Sequence, residues 1–205
     1  TLGSRSTYHM GHAVRLAAED ARDQLAAMAC DVGLSDDAPM ADVFKTRYGM
    51  KAGTLVGTGS FLPSYAPTNH DTGQSNDVTP YWMIGATGAE VEVDVDTGQV
   101  RVTKLVNVVD AGTPLNPRVV ETQIFGAALM QLGFTLFEEM VFDGGQVTNA
   151  SLADYKIPGM LDVPADVTNE AVEAQERGGP FGAKGVGESG TFSVSPAVAN
   201  AVADA

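Results

Sequence analysis

Cysteine is almost missing from this sequence. The single Cys30 excludes an internal disulfide and leaves no cysteine cluster for zinc or an iron–sulfur centre. Basic residues are also scarce. Twelve Lys and Arg stand against 26 Asp and Glu, for a formal net charge of −14. A surface this acidic repels nucleic-acid phosphates and anionic lipid, so neither is an expected partner. Its plain consequence is solubility. No apolar run of membrane-spanning length and no signal-peptide pattern stand out, so no membrane span is expected and a cytoplasmic location is the default expectation. The three histidines, His9, His12 and His70, have no ligand spacing among them. A structural role is the plainer reading of each, and no protein ligand to a metal is expected.

Glycine, by contrast, is abundant: 23 residues in 205, several of them clustered in short loops. Glycine tolerates positive φ and close approach of backbone to a ligand, which makes the clusters candidate ligand loops. A composition of 44% hydrophobic and 19% charged residues is that of a globular chain. The length suits one ordinary domain or two small ones. The chain opens inside TLGSRST and closes within AVANAVADA, and a fragment incomplete at both ends is expected.

Hydrophobic periodicity gives a coarse map. Val14, Ala17, Ala18, Ala21, Leu25 and Met28 predict a helix over residues 11 to 30. A short helix follows over 41 to 48, and residues 54 to 61 suit a strand. Residues 62 to 80 carry turn formers without periodicity. A loop of that length is either functional or a surface excursion. Glu90, Glu92 and Asp94 alternate with Val91, Val93 and Val95, DTGQ turns the chain, and a return strand runs from Val100 toward Val109. After the Gly/Pro loop DAGTPLNP, a largely apolar helix is predicted over 118 to 139. A turn between short strands is expected at 142 to 147, a helix at 168 to 177, and a last helix after the glycines of 178 to 190. Strands and helices do not alternate regularly, so the expected fold class is α+β.

The segment GGPFGAKGVGESGTF carries the chemistry. Gly185, Gly187 and Gly190 match GxGxxG, but no apolar strand precedes them, as a dinucleotide site requires. Lys184 is followed by glycine, so no Walker A loop is present. Glu188 sits between small residues ahead of a helix. On spacing alone it is either a carboxylate presented to a ligand or a helix-capping acid.

GAKGVGESGTF resembles the segment of the molybdenum hydroxylases that carries their active-site glutamate. This is the family of xanthine dehydrogenase, aldehyde oxidase and carbon monoxide dehydrogenase. GSRSTYHMGHAV, VEVDVDTGQVRVTKLVNVVDAGTPLNP, ETQIFGAALMQLGFTLFEE and TNASLADYKIPGMLDVP are similar to further family segments, in the family's order. The resemblance covers nearly the whole chain. It implies the C-terminal lobe of the molybdopterin-binding large subunit, with residues 1–205 a single molybdopterin-binding fragment.

The resemblance further implies a molybdenum–molybdopterin cofactor, with the cytosine dinucleotide form expected. In the family the pterin, not the protein, holds the metal. A metal-bound hydroxide attacks an electron-poor carbon of an aldehyde or N-heteroaromatic substrate, and Glu188 matches the general base. Gly3, Ser4, Arg5 and Ser6 match a cofactor-contacting loop, although Ser6 or Thr7 could equally supply an ordinary helix N-cap. Gln123 matches a family glutamine, against the plainer reading of a helix–helix contact. Gly185, Val186 and Gly187 match cofactor-near backbone. Lys184 either faces the cofactor or pairs with surface carboxylates. Asp110, Asn116 and Asp154 match family positions and are read first as loop and turn anchors. Electrons would leave through 2Fe–2S and FAD centres in partner chains or domains, and an upstream lobe would supply the other side of the cofactor cleft. The small-molecule substrate is not specified by these residues. A non-catalytic scaffold or interface subunit is the alternative reading, and keeping Glu188 between glycines argues against it.

Overall fold

In the computed structural model of the chain, residues 3–205 are described. They form two compact units, one of residues 3–5 with 81–205 and one of residues 6–80.

The unit of residues 6–80 is built on one long helix. A π-helical turn, Ser6–Met10, runs into α1 (Gly11–Asp31), and α2 (Met40–Tyr48) follows. The two helices keep the boundaries that periodicity predicts to within a residue. The strand expected over residues 54 to 61 does not form, because no neighbouring strand is there to pair with it. These residues instead run alongside α1. A Cβ at Gly57 or Gly59 would collide with the carbonyl oxygens of Ala17 and Ala13, so both glycines are required by this close approach. Thr58 donates its N–H to Asp20 at 2.7 Å. The working face of α1 is thus Ala13, Ala17 and Ala21, and Val14, expected on the apolar stripe, is exposed. His12 stacks on Phe61 with ring centroids 4.1 Å apart and packs edge-on to Tyr8, a structural role. Residues 62 to 80 remain a loop.

The unit of residues 81–205 is a three-stranded mixed sheet with two helices packed on it. β1 (Gly85–Val93) and β2 (Val100–Asp110) form the predicted antiparallel hairpin, each longer than periodicity suggests. A bulge after Glu90 leaves Thr103 unpaired opposite it. That extra residue resets the alternation, which is how Val102 and Leu105 both reach the core although three apart. β5 (Asp166–Val172) then adds parallel to β2. A helix was expected here; Glu170, Ala171, Glu173 and Ala174 are good helix formers, but pairing with β2 overrides local preference. The small hairpin of β3 (Phe142–Asp143) and β4 (Gln146–Val147), and the short α4 (Leu152–Tyr155), lie between. The fold is α+β.

α3 (Pro117–Leu136) and α5 (Val194–Asp204) pack side by side on the sheet. Asn116 caps α3 by accepting from the Val119 N–H, and Pro117 supplies the first turn. α3 stops at Leu136, short of residue 139, where the N–H groups of Phe137 and Glu138 both turn back to the Gly133 carbonyl. By length and composition α3 is apolar enough to cross a membrane, contrary to expectation. Here one face of it joins the core. Leu132 and Ala128 join Val102, Leu105, Val194 and Val198 in one buried cluster; Ile124 joins Val109, Ala111 and Val186 in a second. Gln131 and Thr135 bond the Ser195 hydroxyl at 2.7 and 2.8 Å, locking α3 to α5.

A polar rung crosses the sheet. Thr87, Asn107 and Asn169 stand opposite one another on β1, β2 and β5. Thr87 donates to Asn107 Oδ1 and Asn107 Nδ2 donates to Asn169, both at 3.0 Å. The Thr87 hydroxyl also meets Ser193, at the start of α5, at 2.7 Å. Every polar atom named here has a partner, so burial of Asn107 carries no desolvation penalty of an orphaned group.

Candidate functional site

The second core cluster sits under the glycine-rich segment. Val186 sends its side chain into that cluster, so only its backbone is open to other use. From Gly182 to Gly190, seven of nine residues are buried and Gly187 is half-buried; Glu188 alone is exposed. The Glu188 backbone is fixed on both sides. Its N–H donates to Ser4 Oγ at 3.0 Å, and its carbonyl accepts from the Thr191 hydroxyl at 2.8 Å and the Thr191 N–H at 3.1 Å. Among the described residues its carboxylate has no hydrogen bond or ion pair. The result is a free carboxylate on an anchored backbone, the form a general base requires.

Three further anchors hold this run. The first is the end of β2. Gly112 bridges Ala183, the Lys184 N–H donates to Ala111 O at 3.0 Å, and the Thr113 N–H donates to Gly182 O at 2.7 Å. A side chain at Gly112, whose φ is +62°, would strike the Gly182 carbonyl. The second is an ion pair. Lys184 Nζ lies 2.8 Å from Asp110 Oδ2, with side chains only 7% and 11% exposed. Nζ also donates to the Trp82 carbonyl at 3.0 Å, and Asp110 Oδ1 accepts the Gly112 N–H at 2.9 Å. Lys184 therefore engages a buried carboxylate and not the surface ones. Asp110 anchors its loop, as Asn116 caps its helix; Asp154 lies in α4.

The third anchor is Ser4. Its hydroxyl holds Glu188, and its carbonyl accepts from the Tyr81 hydroxyl at 3.0 Å. Tyr81 in turn accepts the Gly185 N–H at 3.2 Å. Burial holds the Tyr81 hydroxyl above its ordinary value, so it keeps the proton it donates. A side chain at Gly185 would run into the Ser4 carbonyl, so this glycine is demanded by the chain's own packing. Gly3 and Ser4 both adopt positive φ, +63° and +56°, to make this approach. Of the sequence-predicted residues, Ser4, Gln123, Gly185, Gly187 and Glu188 thus come together, while Arg5 has no hydrogen bond or ion pair among the described residues. Ser6 begins the π-helical turn of the other unit. Sequence reading missed Tyr81 and the Lys184–Asp110 pair. Both depend on partners 74 to 104 residues away, beyond any local pattern.

Gln123 on α3 donates from Nε2 to the Gly187 carbonyl at 2.6 Å, and its Oε1 has no partner among the described residues. Between Gly187 and Ser4 is a gap that one Cβ would fill, with Ser4 Oγ 3.3 Å from that position. An exposed amide acceptor, the close approach of Gly187 to Ser4 and an exposed carboxylate thus adjoin Gly187. That set fits a flat, polar, hydrogen-bonding group such as a pterin. Among the described residues, no group of three His, Cys, Asp or Glu side chains gathers as a metal site.

Residues 1–164 match the family model described as "Molybdopterin cofactor-binding domain". The chain belongs to this family. The match takes in both units and stops short of Glu188, but full-length relatives carry on through it. The chain is 34% identical, over 98% of its length, to the protein named "Probable hypoxanthine oxidase" of Escherichia coli K12. It is 32% identical over its whole length to the nicotine 6-hydroxylase large subunit of Paenarthrobacter nicotinovorans. Among solved structures it resembles the aldehyde oxidoreductase of Desulfovibrio gigas, with a TM-score of 0.81, 28% identity and 99% of the chain covered. The chain spans 22%, 27% and 21% of these three proteins' own lengths, so family membership describes one part of a larger whole.

Proposed function

We propose that this chain is the part of a molybdenum hydroxylase large subunit that carries the catalytic base, Glu188. The observation behind the reading is the one exposed carboxylate in an otherwise buried, multiply anchored run. The group to be held is molybdenum–molybdopterin, in the cytosine dinucleotide form; when bound it supplies two-electron oxidation and activates water. Gln123 would hold the pterin edge through its open Oε1. Gly3, Ser4, Arg5 and Ser6 would serve the phosphate tail, and the backbone of Gly185, Val186 and Gly187 would line the near side. Lys184 stands in the same run, but its ammonium engages Asp110 and the Trp82 carbonyl, so its part is to hold the loop rather than the cofactor.

The substrate class is an aldehyde or an N-heteroaromatic, whose electron-poor C–H becomes C–OH. Water supplies the oxygen, and two protons and two electrons leave. Glu188 accepts a proton as the C–O bond forms. Its anchored backbone keeps the carboxylate in place without a competing hydrogen bond. The electrons would pass to 2Fe–2S and FAD centres in partner chains or domains, and an upstream lobe would close the cleft. A cytoplasmic location goes with this reading.

The test is Glu188→Gln in the complete, cofactor-loaded enzyme. Molybdenum and pterin contents should be unchanged while turnover falls on the order of 10² to 10⁴. Near-normal turnover in the loaded variant would remove Glu188 as the base. A native complex that contains no molybdenum would favour the interface-subunit reading instead.

A further inference from the structure

The buried pair of Lys184 and Asp110 calls for an explanation that stability does not supply. Taking two charges out of water is costly, and apolar residues of similar volume are often as stable or more so. What such a pair can confer is a single register. Several hydrogen bonds converge on these two residues. Lys184 Nζ donates to Asp110 Oδ2 and to Trp82 O, the Lys184 N–H donates to Ala111 O, and Asp110 Oδ1 takes the Gly112 N–H. The bonds from Lys184 Nζ to Asp110 and from the Lys184 N–H to Ala111 tie the end of β2 to the run that presents Glu188 four residues later. That run has no strand ladder of its own beyond the one bridge from Gly112 to Ala183. A slip by one residue would turn Glu188 inward and bring a neighbour to the surface.

We propose that Asp110 and Lys184 are positioning residues that fix the register of residues 182–190 and so place the Glu188 carboxylate. The inference rests on the reading of Glu188 as the base. The pair itself does not touch the reacting atoms; it acts through the backbone between Lys184 and Glu188. The Ser4 and Thr191 contacts then hold Glu188 at a height already set by the pair.

The experiment is the double variant Asp110→Leu with Lys184→Met in the complete, molybdenum-loaded enzyme. The apolar pair should leave the melting temperature and molybdenum content at the unsubstituted level. Hydrogen exchange in residues 182–188 should become faster. Misplacement of a catalytic group lowers kcat by about ten- to a hundredfold with KM little changed. Lys184→Arg, which can still reach Asp110 and Trp82, should recover most of kcat. If the double variant does not fold, Asp110→Asn gives the same split between kcat and KM in milder form. Normal kcat in a folded, loaded variant overturns the inference, and so does a loss of kcat that only tracks loss of melting temperature and molybdenum. An inactive Glu188→Gln enzyme beside an active double variant would sink the positioning role alone. An active Glu188→Gln enzyme would sink the base itself.

Discussion

The two ends of β2 use the same chemistry to different ends. At its start, the hairpin turn is closed by Asp94, whose carboxylate accepts the N–H groups of Asp96 and Thr97, and Arg101 pairs with Glu92 nearby. At its finish, Asp110 accepts the Gly112 N–H and pairs with Lys184. Both ends have an aspartate whose carboxylate accepts the N–H two residues on, and both have an ion pair that joins separate stretches of the chain. The side chains of Arg101 and Glu92 are 71% and 63% exposed, whereas those of Lys184 and Asp110 are almost closed to water. Water screens the first pair and leaves it worth little. The second has no water to fall back on, so each partner depends on the other. The same residue types therefore shape a surface turn at one end and govern the candidate site at the other.

Asp110→Ala should give the largest stability effect, about 3–5 kcal/mol, because it strands the Lys184 charge in the interior. Hydrogen exchange of residues 110–113 and 182–188 in the complete enzyme is the measurement, and unchanged protection would erase the contrast between the two ends. Gly185→Ala should come next, at roughly 1–3 kcal/mol, since the added methyl meets the Ser4 carbonyl and the Tyr81 hydroxyl. Its signature is faster exchange at Glu188 together with lower molybdenum retention.

Arg101→Ala should change the same local stability by less than about 1 kcal/mol. A larger loss would mean that the hairpin end is not the passive one. The smallest effect concerns acid. Backbone hydrogen bonds from Asp96, then the bonds from Thr97, hold the Asp94 carboxyl below its ordinary value of 3.8. A lowered carboxylate contributes stability above that ordinary value and loses it as pH falls through the folded-state value. The 94–99 turn should therefore loosen in strong acid, read by exchange rates corrected for pH. Asp94→Asn should remove that dependence while keeping the turn.

Much was legible without coordinates wherever the signal is local. α1, α2, the β1–β2 hairpin and α3 follow from periodicity and turn chemistry within one stretch of chain. The exposed Glu188 could be singled out because its small neighbours are themselves a local pattern. The misreadings share one cause. Residues 54 to 61 suit a strand by composition, yet extended chain becomes a strand only if another strand is adjacent, and here α1 is adjacent instead. Residues 168 to 177 favour a helix locally, yet β2 recruits Asp166–Val172 as a parallel neighbour from 62 residues away.

The sequence by itself determined the class of this protein: an acidic, cysteine-poor α+β chain whose ordered run of segments marks a molybdopterin cofactor-binding family. It also determined which carboxylate stands out. Only the tertiary structure decided what holds that carboxylate. Ser4 reaches Glu188 across 184 residues, Tyr81 reaches Gly185 across 104, and Asp110 reaches Lys184 across 74. Such contacts leave no periodicity in the sequence. They arise because the core buries β2, α3 and Val186 together, and the polar groups brought inside with them must find one another or stay unpaired.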